Sequence, residues 1–176
     1  MALTDYEQYI RTEDLLALQK AEGDLTCHDE MMFQMVHQVA ELWMKLAAFE
    51  LSRFGRVLSK DELAPAIGSL HRVTMIQRTL ISQLDLMDTM SSKSYMTVRT
   101  GLGSGSGQES PGFKTMLRLP GELMWPAFAG FLERQGTTLR EIYEEPEAKF
   151  HLYQLCEGMV DYDQLLQAWR LSLIHI

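Results

Sequence analysis

Apolar residues along this chain recur at three- and four-residue steps and never alternate strictly, which is the periodicity of helix and not of strand. The clearest run is HDEMMFQMVHQVAELWMKLAAFELSRFG. It predicts one helix from about Asp29 to Phe54, stopped by Gly55. Met32, Val36, Val39, Trp43, Leu46 and Phe49 would form its buried stripe. Upstream, TEDLLALQK predicts a short helix with Thr12 as N-cap and acids in the first turn. Downstream, SKDELAPAIGSLHRVTMIQRTLISQLDLMD opens with Ser59 and Glu62 at capping-box spacing. It predicts a second long helix that Pro65 kinks or restarts. SSKSYMTVRTGL predicts a shorter, serine-capped helix running into the loop GSGSGQESPG. Helical pieces follow in GELMWPAFAGFLERQG and TTLREIYEE, broken at Pro126, Gly136 and Pro146. A last helix is predicted from about Glu147 through KFHLYQLCEGMVDYDQLLQAWR. The expected class is all-α, a bundle of antiparallel helices.

Size and composition narrow the function classes. The 176 residues suit one domain with a sizeable core. Hydrophobic residues make up 46% and charged residues 23%, an ordinary globular balance. The net charge is -8 and no basic block occurs, which argues against a nucleic-acid partner. Cys27 and Cys156 are too few and too far apart for a disulfide scaffold or a zinc module. The leading MALTDYEQYIRTED lacks the apolar core of a secretory signal, and no run approaches about 20 apolar residues. A cytoplasmic protein without a membrane partner is therefore expected. The 12 methionines read as adaptable core filler.

Few residues suggest chemistry. His37 falls on a largely apolar helix face, with Phe33 one turn before it. It is either a satisfied core histidine or a histidine lining a hydrophobic ligand cavity. His28, Asp29 and Glu30 are adjacent on a helix and so point apart, which makes the two acids N-terminal helix residues and not a metal cluster. His71 and His151 have no partner at useful spacing. Tyr95 and Arg99 share a helix face, and a guanidinium fork beside a phenol hydroxyl suits a carboxylate. Stacking between the two side chains at the surface is the plainer alternative. The glycine-serine loop that follows matches neither the P-loop nor the dinucleotide fingerprint. These residues alone name no reaction.

Four stretches, in order along the chain, resemble the tryptophan 2,3-dioxygenase family. YEQYIRTEDLLALQ is similar to its leading Tyr-x-x-Tyr segment, and HDEMMFQMVHQVAELWMKL to its H-D-E-x-x-F-x-x-x-H-Q-x-x-E-L-W signature. SYMTVRTGLGSGSGQES is similar to its Y-x-x-x-R-x-x-L-G segment, and LCEGMVDYDQLLQAWR to the approach to its haem-ligand helix. The resemblance implies an all-α haem b protein, usually a homotetramer, that uses dioxygen to open the indole of L-tryptophan to N-formylkynurenine. It further implies that His37 is the distal histidine, hydrogen-bonded to the indole N–H. Phe33 would wall the indole pocket, and Arg99, helped by Tyr95, would hold the substrate carboxylate. Ser106 and Gly107 would lie against haem and substrate. Tyr6 and Tyr9 would reach a neighbouring subunit's pocket.

Three departures matter. Gln108 stands where the family carries an aromatic, and the stretch from Lys114 to Leu155 is shorter than usual. These leave room for a related aromatic monooxygenase or tyrosine hydroxylase, and a non-catalytic helical binding or assembly protein is the alternative class. The third departure is at the end of the chain. The family's proximal haem histidine lies three residues after the W-R pair, here Trp169-Arg170, and that position is Leu173. His175 falls two residues late, about 200° away around a helix. The family's glycine-threonine-rich loop and closing helices are missing. The tail LSLIHI (residues 171–176) is expected to be translated transposon-end adapter sequence. The expectation is a single domain over 1–170, truncated at its C-terminus, that binds haem weakly or not at all.

Overall fold

The computed structural model describes residues 3–103 and 105–172. Among them there is no strand, as the periodicity predicts. The helices are α1 (Asp5–Ile10), α2 (Thr12–Leu16), α3 (Glu30–Leu58), α4 (Leu63–Ser82), α5 (Leu84–Met87), α6 (Ser92–Gly101), α7 (Pro111–Leu119), α8 (Trp125–Gln135), α9 (Leu139–Glu144) and α10 (Phe150–Ser172). Single 3₁₀ turns occupy Glu22–Asp24 and Gly107–Glu109, and a π-helical turn at Pro120–Met124 joins α7 to α8. None of these helices is long and apolar enough to cross a membrane.

Helices α3, α4 and α10 form the frame. A tight turn holding Asp61 at φ 62° reverses the chain between α3 and α4. The two helices are antiparallel: Arg53 donates to Ser69 at 2.7 Å, while Glu50, three residues earlier, pairs with Arg72 at 2.8 Å. Contacts between α4 and α10 advance together instead. Leu70 abuts Gly158, and Gln77 donates to the Tyr162 carbonyl at 3.1 Å. These two helices therefore run in the same sense, not antiparallel as expected. The reason is connectivity, because α5 to α9 carry the chain back before α10 begins. The core between them holds Leu51, Phe54, Leu58, Leu70, Leu80, Met116, Leu155 and Tyr162. Each such side chain contributes roughly 1.5–3 kcal/mol on leaving water.

Several local expectations are corrected. Helix α3 begins within one residue of the predicted start but runs past Gly55 to Leu58. Gly55 is buried inside the helix, where a Cβ would come within 3.1 Å of Leu123, so the glycine serves close packing and not termination. Of the expected stripe, Val36 is buried and Met32 and Trp43 pack partly against the core. Val39, Leu46 and Phe49 are exposed, and the buried stripe is Met44, Ala47, Leu51, Phe54 and Leu58. Helix α3 has two apolar stripes, and its contacts with α4 and α7 select one. Thr12 lies inside α2, while the capping box of this region belongs to Thr4 and Glu7 on α1. Ser59 closes α3, and Glu62 gives α4 no side-chain cap. Pro65 sits in the first turn of α4, where no N–H is lost. The second long helix ends at Ser82, with α5 separate from it. Pro126 lies in the first turn of α8 and breaks nothing. Ser91 caps α6 by accepting the Ser94 N–H, as the serine-rich start predicts. Helix α10 starts at Phe150, three residues later than expected. Leu173 and His175, the positions weighed as the iron ligand, lie outside the described residues.

Candidate functional site

Two adjoining cavities flank the first turns of α3. The larger, about 470 Å³, is bounded by α3, α5, α6, α7 and α10, with Val36, Met44, Leu84, Val98, Phe113 and Trp169 as its apolar wall. The smaller, about 120 Å³, is lined by Tyr95, Arg99, Leu102 and Gly105 to Gln108. Phe33, His37, Leu84, Leu102 and Gly107 line both. Six expected site residues thus line these adjoining cavities: Phe33 and His37 from α3, Tyr95 and Arg99 from α6, and Ser106 and Gly107 from the loop. Tyr6 and Tyr9 do not join them. They lie on α1, 70% and 87% exposed, and line neither cavity.

The protonation pattern of His37 follows from one contact. Its Nδ1 is 2.7 Å from the Phe33 carbonyl oxygen, one turn back on α3. A carbonyl oxygen can only accept, so Nδ1 carries the hydrogen. In the tautomer that this contact selects, Nε2 is the acceptor. It lies beside Gly107, whose missing Cβ would stand 4.0 Å from it. The Phe33 ring stacks on the imidazole with centroids 4.1 Å apart and planes at 28°, which holds the ring in one orientation.

Arg99 donates from Nη1 to the Gly103 carbonyl at 2.8 Å. Gly103 has φ +60°, a conformation natural to glycine. One corner of the guanidinium therefore braces the loop, and the remaining N–H groups stay available beside Tyr95. The loop is stiffer than its composition suggests. Ser106 and Glu109 form a reciprocal capping box around the 3₁₀ turn, and Ser110 accepts the Phe113 N–H at the start of α7. Gln108 is exposed at the smaller cavity.

A strap from Leu18 to Thr26 borders the larger cavity. The Lys20 N–H donates to Gln34 and the Gln38 amide donates to the Leu18 carbonyl. Glu30 anchors the strap: it accepts from Lys20 Nζ at 2.5 Å, from the Thr26 N–H at 2.6 Å and from the Thr26 hydroxyl at 2.8 Å. The Lys20 ammonium, followed by the two Thr26 donors, holds its carboxyl down at about 2. Glu30 is thus more than an acid near a helix start. No three His, Cys, Asp or Glu side chains converge to hold a metal among the described residues.

Met44, seven residues after His37 on the same helix face, was readable in the sequence as a neighbour of His37, but sequence reasoning missed Trp169, Leu84, Val98 and Phe113 as wall residues, and Glu41 beside them. Trp169 is 2% exposed, and its ring lies 5.2 Å from that of Phe113. Of the residues missed, only Glu41 carried a usable signal, since it lies four residues after His37 on the same helix face.

Comparison with known proteins gives the family. The family model described as tryptophan 2,3-dioxygenase matches residues 1–123. The tryptophan 2,3-dioxygenase of Bradyrhizobium diazoefficiens is 30% identical over 224 aligned positions, covering 97% of this chain and 80% of that protein. That of Myxococcus xanthus is 28% identical over 216 positions, covering 95% and 74%. That of Bacillus cereus is 29% identical over 214 positions, covering 94% and 76%. These alignments are longer than the 176-residue chain, so the relatives carry segments that have no counterpart here. With the matched family model spanning α3, the His37 signature and the Arg99 loop, this chain belongs to the tryptophan 2,3-dioxygenase family.

Proposed function

We propose that this chain is built to bind L-tryptophan with its indole against Phe33 and His37, as part of a haem-dependent dioxygenase that opens the ring to N-formylkynurenine. The observation that carries this reading is the 2.7 Å contact between His37 Nδ1 and the Phe33 carbonyl oxygen. The Nδ1–H is spent on the Phe33 carbonyl, which leaves Nε2 to accept an indole N–H. Phe33, stacked on the imidazole, walls the aromatic ring. Arg99 takes the carboxylate as a charge-assisted pair, and the Tyr95 hydroxyl is a second donor. Together these groups fix one orientation of the substrate, which is where most of a protein's contribution lies when a cofactor carries the chemistry. The reading includes haem b, a homotetramer in which Tyr6 and Tyr9 meet a neighbouring subunit, and a cytoplasmic setting.

The lining fits haem only in part. The wall of Val36, Met44, Leu84, Val98, Phe113 and Trp169 suits a flat apolar macrocycle, and Ser106 and Gly107 leave the approach to His37 open. Apart from His37, however, the described lining of the larger cavity offers no imidazole, thiolate or phenolate to iron. Haem supplies the activation of dioxygen when bound; the residues named here bind and orient the substrate. A second reading, in which the same pocket binds an aromatic amino acid without catalysis, uses the same contacts to Phe33, His37 and Arg99.

Calorimetric titration with L-tryptophan and with its 1-methyl derivative tests the shared step. Binding of L-tryptophan about 5–10-fold tighter than of the methylated form is expected, from one hydrogen bond of about 1 kcal/mol. Arg99→Ala should weaken L-tryptophan by about 100-fold or more, as expected when a charge-assisted pair is cut. Equal affinity for both ligands, or an unaffected Arg99→Ala, sinks the assignment. Soret absorbance on adding haem separates the two readings: no uptake favours the non-catalytic one.

A further inference from the structure

Glu41 lies one turn beyond His37 on the same face of α3 and lines the larger cavity. Its Oε2 accepts the Gly112 N–H at 3.1 Å. That amide belongs to the first turn of α7, where the helix dipole favours an anion. Its Oε1 is buried and has no hydrogen-bond partner among the described residues. A Cβ at Gly112 would lie 2.7 Å from Glu41 Oε2 and 2.7 Å from Met44 Cε, so any side chain there must displace these two ends. The chain from Ser106 to Gly112 is short and doubly capped, and its Gly107 sits beside His37 Nε2. Glu41 therefore ties the helix that bears His37 to the segment that faces it. Mere packing of α7 on α3 would not call for a carboxylate, since an apolar residue avoids the cost of a buried charge with one oxygen unused.

Resting on the reading of His37 as the indole acceptor, we propose that Glu41 is a positioning residue, whose carboxylate holds the start of α7, and through it Ser106 and Gly107, in register with His37 and so sets the width of the slot an aromatic amino acid enters. The bond to Gly112 needs only an acceptor oxygen. Glu41→Gln keeps one, whereas Glu41→Leu removes it. Gly112→Ala keeps the Glu41 side chain but crowds its acceptor oxygen, together with Met44, off the Gly112 N–H.

The test is hydrogen–deuterium exchange of residues 105–113 in the full chain, with circular dichroism as the check on folding and calorimetry with L-tryptophan as the binding readout. In Glu41→Leu, exchange of this segment should rise at least ten-fold and L-tryptophan affinity fall at least ten-fold, with helicity unchanged. Glu41→Gln should behave as wild type, and Gly112→Ala should reproduce the Glu41→Leu defect. The double variant should be no worse than either single one. Wild-type exchange in a folded Glu41→Leu overturns the proposal, as does a Glu41→Gln as defective as Glu41→Leu. If Glu41→Leu does not fold, Glu41→Gln and Gly112→Ala decide: equal exchange in the two overturns the proposal. If wild type does not bind L-tryptophan, the functional reading fails, while the exchange comparison still decides the role of Glu41.

Discussion

Replacing Glu30 by glutamine perturbs one carboxylate and tests the strap that borders the site. Glu30 is 8% exposed and accepts three hydrogen bonds, two from Thr26 and one from the Lys20 ammonium. Its carboxyl lies at about 2, against an ordinary value of 4.5. That difference is equivalent to about 3 kcal/mol in favour of the folded charged form. Lys20 is 44% exposed, so solvent screens part of its attraction, and about 1–3 kcal/mol is the expected cost of Glu30→Gln at neutral pH. The sign with pH follows from the direction. A carboxyl lowered by folding contributes fully above about 4.5, and the contribution is lost as pH falls through that value towards 2. Urea unfolding at pH 7 and pH 3 should therefore show wild type losing stability on acidification and Glu30→Gln losing less. The strap can also open locally without global unfolding. Limited proteolysis between residues 17 and 29 should then be faster in the variant even where the urea midpoint moves little. A Glu30→Gln protein with wild-type stability, wild-type acid response and an uncut strap would refute the reasoning.

Two further outcomes follow from the same packing. Trp169→Ala removes a side chain that is 2% exposed and packed on Phe113, and should cost about 3–5 kcal/mol in urea unfolding while enlarging the larger cavity. Cys156 is buried, and desolvation with the nearby Glu157 charge pushes its thiol up to about 11. Iodoacetamide at pH 8 should therefore label the partly exposed Cys27 and spare Cys156 until the protein unfolds, as mass spectrometry of the native chain would read.

Much of the local structure was legible because it depends on neighbours in the chain. The 3.6-residue periodicity placed α3, α4 and α10, and Ser91 marked the start of α6, since a hydroxyl capping an N–H three residues on needs no distant partner. Gly55 and Pro126 misled for the same local reason. A glycine ends a helix only where nothing packs on it, and Leu123 packs on this one. A proline breaks a helix only beyond its first turn.

The candidate site divides in the same way. Phe33 with His37, and Tyr95 with Arg99, were readable as pairs because each lies on one helix face. That the two pairs meet around one space depends on how α6 crosses α3, which no local pattern encodes. The strap anchored by Glu30, the wall from Val36 to Trp169 and the tie from Glu41 to Gly112 join residues 4 to 133 positions apart. Only packing brings the distant ones together. The sequence by itself determined the helices, the family signature and the chemistry available on each face. The tertiary structure decided which of two apolar stripes on α3 is buried, that α10 runs alongside α4 in the same sense, and what faces His37. Periodicity states that a face is apolar, but only the neighbouring helices determine what covers it.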